Sequence, residues 1–133
     1  MHVVSPGASP AQLTALLMPA QVETPCQIVS VRNRSAAISE AIGGGLIDDV
    51  LVGGTAGGMY VIYACDDEQT TRPANPRATV LAVRLGHYGR EVQRRLRGTV
   101  LVVGLLADGT GDTDVPATVL TAATRAGITV RWP

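Results

Sequence analysis

Arg72, Asn75 and Arg77 lie within the segment RPANPRAT, where Pro73 and Pro76 restrict the backbone between them. A guanidinium on each side of an amide supplies paired donors and an acceptor, a set suited to reading a nucleobase edge or a phosphate. Asn before Pro is also an ordinary way to start the next element, so a structural reading of the same residues stays open. A second basic group follows at Arg90, Arg94, Arg95 and Arg97. On a helix, Arg90, Arg94 and Arg97 would share one face by their spacing. That face could bind phosphate, or serve as the polar outer side of a helix with Glu91 interleaved. The candidate ligand contacts are Arg72, Asn75, Arg77, Arg94 and Arg97.

Other chemistry finds less support. His2 and His87 sit in neither metal-ligand nor triad spacing, and no Ser occupies a nucleophile elbow. Gly43 to Gly45 follow a helical segment instead of opening one. Gly53 to Gly58 join two strand-like runs, and no Lys is present to complete a phosphate loop. The acid groups Asp48 and Asp49, Asp66 to Glu68, and Asp108, Asp112 and Asp114 lack the ligand spacing of a calcium loop. Cys26 and Cys65 have no neighbours for a zinc site or a redox pair and read as core thiols of a reducing compartment. The expectation is a binding protein with no catalytic residues, no metal and no cofactor.

These residues need a frame. The chain has 133 residues, 46% of them hydrophobic and only 3% aromatic, which fits one domain with a core of Val, Leu, Ile and Ala. Eleven basic residues, all Arg, balance eleven acidic ones, which argues against a broad nucleic-acid surface or an anionic membrane face. Residues 1–25 read as an arm or weakly ordered segment, with at most a short helix at Ser9 and Pro10. The apolar stretch Leu13 to Met18 is too short to span a bilayer.

Residues 26–133 read as a single α+β domain, with a mixed or antiparallel sheet of about five strands and two or three helices on it. Strands are predicted at 27–31, 46–52, 59–64, 99–106 and 128–132, and the Val/Leu run of 99–106 marks the centre of the sheet. Helices are predicted from Asn33 or Ser35 to Ile42, at 91–97, and from a cap at Thr113 or Asp114 to Gly127. The run 78–85 fits either type, and 66–76 reads as a surface loop.

The sequence IGGGLIDDV, the strand MYVIYACDDE, the loop RPANPRATVL, then RGTVLVVGLLADG and TDVP together resemble the domain-of-unknown-function-3846 family of small phage, plasmid and actinobacterial proteins. The resemblance spans about residues 28 to 120 and implies a mobile-element origin and a host cytoplasm, with no activity to carry onto residues. Two expectations follow. The first is a non-enzymatic phage-type protein that sequesters a nucleotide-like small molecule or blocks a host defence factor. The alternative is an interaction module acting as a homo-oligomer.

Overall fold

A computed structural model describes residues 9–65 and 72–133. The order of elements is β1 (Gln12–Met18), β2 (Cys26–Arg32), α1 (Ser35–Ala41), β3 (Ile47–Thr55), β4 (Gly58–Cys65), α2 (Pro76–Arg84), α3 (Arg90–Arg95), β5 (Val100–Leu105), β6 (Asp112–Thr113), α4 (Ala117–Arg125) and β7 (Val130–Arg131). Six strands lie in the order β3-β4-β5-β1-β2-β7, and β6 pairs with β5 beyond the point where β1 leaves it. Every pairing is antiparallel except β2 with β7. The α+β class and the mixed sheet agree with the sequence reading, with more strands and helices than expected. Among the described residues no helix is long and apolar enough to cross a membrane.

The alternation of strand side chains divides the core in two. Leu16, Met18, Cys26, Ile28, Tyr60, Ile62, Val100 and Val102 face α2, α3 and α4. Leu13, Ala15, Val31, Val61, Leu101 and Val103 face the other way, against Ile38 of α1 and Ile42 just past its end. β5 is buried on both faces, as its unbroken apolar run requires.

The main correction concerns the beginning of the chain. Residues 12–18 are neither helix nor loose arm: β1 lies between β5 and β2, and Leu13, Ala15, Leu16 and Met18 are fully buried. A strand with apolar residues on both faces loses the alternation that announces a half-buried strand, so LTALLM resembles a fragment of helix. Residues 1–8, which include His2, lie outside the described residues, as does the acidic group Asp66 to Glu68.

Smaller corrections follow from local competition. The ambiguous run 78–85 is helical, because Asn75 Oδ1 accepts a hydrogen bond from Ala78 N at 3.0 Å and Pro76 takes the first turn. Neither Asn33 nor Ser35 caps α1, whose N-cap is Arg34 with no side-chain bond. Asp114 does not cap α4 either; its Oδ1 accepts from Thr14 N at 2.7 Å and ties β1 to the chain after β6. Gly53 and Gly54, expected in a turn, belong to β3, and the turn falls at residues 56–57. At Gly53 a Cβ would collide with the Tyr60 hydroxyl, so glycine there lets the tyrosine ring lie across the neighbouring strand.

Candidate functional site

The chain from 72 to 77 is pinned by its own side chains. Asn75 is completely buried; its amide donates to Met18 O at 2.8 Å and Gly98 O at 2.9 Å while its oxygen caps α2. Arg72 extends across Gly98, whose φ of +67° places its Cα against the arginine stem. The Arg72 guanidinium donates to Ile42 O at 2.9 Å and Gly44 O at 3.1 Å, the carbonyls at the C-terminal end of α1, where a cation is favoured. Arg97 lies beyond the end of α3, in a bridge with Ala74, and donates to Arg72 O at 3.2 Å.

The structure therefore brings Arg72, Asn75 and Arg97 together around one backbone crossing, where the two guanidinium groups and the Asn75 amide nitrogen donate to carbonyls of the chain. It does not put Arg97 on a helical face with Arg90 and Arg94, because α3 ends at Arg95. Arg94 is exposed in the last turn of α3.

Arg77 points elsewhere, into the connection between β1 and β2. Its Nη2 donates to Pro19 O at 2.8 Å, Gln21 O at 2.8 Å and Thr24 O at 2.6 Å. Its Nε is shut off from solvent and has no partner. The guanidinium forms part of the wall of a cavity of about 470 Å³ between the β1–β2 connection, the first turns of α2 and the turn after α4. Val22, Pro25, Val80 and Ile128 give this cavity apolar sides, and Glu23 adds a carboxylate opposite in sign to Arg77. Cys26 lies close by; burial pushes its thiol up, and the charge of Arg77 acts in the opposite direction.

Sequence reasoning named Arg77 as a ligand contact beside Arg72, Asn75, Arg94 and Arg97, of which this cavity holds Arg77 alone, and missed the other walls. Val22, Val80 and Ile128 come from three separate elements and share no spacing. It also missed a polar pair on the same side of the sheet. The fully buried Tyr60 hydroxyl lies 2.6 Å from His87 Nε2, with the rings edge to face at 5.9 Å. His87 is half-buried in this contact. The acids of the 108–114 turn each have a separate partner. Asp108 accepts from Thr110 N and Oγ1, which hold its carboxyl below the usual range, while Asp112 accepts from Tyr63 and Asp114 from Thr14.

No family model and no curated protein matches this sequence. One solved structure, described as the crystal structure of small RNA methyltransferase HEN1, is similar with a TM-score of 0.61 at 12% identity. The similarity covers 88% of this chain and 16% of that one. At that identity it supports the fold alone, as one small unit within a much longer protein.

Proposed function

We propose that this chain is a non-enzymatic binding protein of phage type that holds a small nucleotide-like molecule in the Arg77 cavity. The observation that carries the reading is the composition of that cavity: apolar walls, one fixed guanidinium and one carboxylate, in a volume of about 470 Å³. Sites for small molecules are mostly apolar concavities of this size with a few fixed polar groups. A guanidinium held in place by three carbonyls loses little entropy when it receives a phosphate or carboxylate. The first turn of α2 adds a partial positive charge on the same side. A nucleobase would lie between Val22 and Val80, and Glu23 would accept from its amino group. The resemblance to a phage and plasmid family supplies the setting, in which sequestering a signalling nucleotide or blocking a host defence factor is the use of such binding.

Calorimetry with cyclic mononucleotides, cyclic dinucleotides and ADP-ribose tests the reading, with unphosphorylated nucleosides as the comparison. Saturable heat is expected for at least one phosphorylated member. Val80 is 44% exposed on the cavity wall, so Val80→Glu fills the space and repels an anion without entering the core. That variant should lose binding by about ten-fold or more while remaining folded. A folded wild-type protein that binds no member of the panel overturns the proposal.

The homo-oligomer reading has its own observation. β3 is a nine-residue edge strand, paired on one side with β4 and carrying the 43% exposed Val52 beyond its bulge. Such an edge is a template for pairing with another chain. Light scattering that returns a monomer at high micromolar concentration removes this reading.

A further inference from the structure

The face of the sheet that α1 covers holds a second cavity, of about 550 Å³, with different chemistry. Its floor is Ile38 of α1, Ile47 of β3 and the ring of Tyr63 on β4. The passage from β2 into α1 forms one wall, carrying the exposed Arg34 and Ser35; the passage into β6 forms the other, with Thr110 and, at the start of β6, Asp112. Tyr63 Oη donates to Asp112 Oδ2 at 2.8 Å in a half-buried setting, which fixes the carboxylate toward the floor.

The two walls are tied together along the cavity lining, to which Ser9 and Asn33 also belong. Asn33 Nδ2 donates to Ser9 Oγ and to Pro10 O, each at 2.7 Å, and Ser9 Oγ donates to Asp112 O. Asp112 is further held by its pairing with Leu105. The cleft thus carries a carboxylate bonded to a phenol, and an exposed guanidinium on the facing wall.

We infer that this cleft binds a phosphorylated sugar, the hydroxylated ring seated inward and the phosphate outward. A carboxylate accepts several hydrogen bonds and suits a pair of neighbouring hydroxyls, and Ser35 and Thr110 hydroxyls can both donate and accept. The Arg34 fork matches a phosphate in a bidentate manner. Ile38 and Ile47 offer apolar surface to the C–H face of the ring. The ring phosphate can arrive as a free sugar phosphate or as the ribose phosphate of a nucleotide, and the two are separated by whether adding a base improves or abolishes binding. This site does not depend on the Arg77 cavity across the sheet.

The test is a titration followed by amide chemical shifts, using ribose 5-phosphate, ribose, inorganic phosphate and AMP against wild type, Arg34→Gln, Asp112→Asn and Val80→Glu. Ribose 5-phosphate should give saturable shifts in residues 33–35, 63 and 110–112 with a millimolar or tighter Kd, well ahead of ribose or phosphate alone. Arg34→Gln should weaken it by about ten-fold or more, as loss of a charge-assisted bond does. Asp112→Asn should weaken ribose 5-phosphate but not inorganic phosphate, which a lost carboxylate charge can only favour, and Val80→Glu should alter neither. If ribose 5-phosphate shifts no residue of the cleft, or binds no better than phosphate alone, the inference fails. Equal affinity in the folded Arg34→Gln protein would also overturn it. Failure of Val80→Glu to affect nucleotide binding concerns the other cavity only.

Discussion

Asn75 holds three backbone groups that have no access to water: the carbonyls of Met18 and Gly98 and the N–H of Ala78. These belong to β1, to the residue that leads into β5, and to α2, so one amide joins two central strands to a helix. Asn75→Ala leaves all three buried groups without a partner, and a stranded buried group costs about 1–3 kcal/mol. The expected loss is about 3 kcal/mol, read as a lower midpoint in urea unfolding with an unchanged slope. Asn75→Asp should be at least as damaging, because a carboxylate cannot donate to either carbonyl. A change below about 0.5 kcal/mol in both variants would show that the bonds carry no net stability. The sequence was informative about Asn75 to a limited degree. Asn-Pro signalled that the residue matters, but an amide that reads a ligand and an amide that reads the backbone leave the same local signature. The choice is made by Gly98, 23 positions away, through a bond that no local pattern encodes.

At the scale of elements, β5 was legible and β1 was not, although they are neighbours and both buried. The run TVLVVGLL is long, β-branched and bounded by glycine, which leaves little room for a helix. QLTALLM has Ala and three Leu, strong helix formers, and only its pairing with β2 and β5 holds it extended. Tertiary pairing overrode local preference here. The Arg77 cavity was illegible for a related reason, since its walls come from elements far apart in sequence. A stability prediction follows for β1. Leu16 is fully buried and pairs with Ile28 on one side and Val102 on the other. Leu16→Ala should cost about 3 kcal/mol through lost burial and the cavity left behind. Leu46 is 76% exposed just before β3, and Leu46→Ala should fall within about 0.5 kcal/mol of wild type. Thermal or urea unfolding of the pair decides whether residues 12–18 are part of the cooperative core: equal stabilities would place them outside it.

Across the described residues, three helices cover one face of the sheet and α1 lies on the other, and the buried Cys26 and Tyr60 sit under the three-helix face. Cys26 on β2 and Tyr60 on β4 project to that side from opposite ends of the sheet. Burial raises the Cys26 thiol above its ordinary 9.0 and the Tyr60 phenol above its ordinary 10.0. Both groups are neutral in the folded protein near pH 7, and on unfolding each would release its proton at a lower pH. Their contribution to stability is therefore complete below about pH 9 and is lost as pH rises through the folded values. Each group adds a slope of at most about 1.4 kcal/mol per pH unit. Urea midpoints should consequently be level from pH 7 to about 8.5 on account of these groups and fall beyond it. Tyr60→Phe loses its bond to His87 and should begin about 1 kcal/mol less stable. Its decline above pH 10 should nevertheless be shallower than that of wild type, because only the thiol then remains to titrate from the core. If the two proteins decline in parallel, the phenol is not protected from ionisation in the folded state, and alkaline loss of stability arises elsewhere.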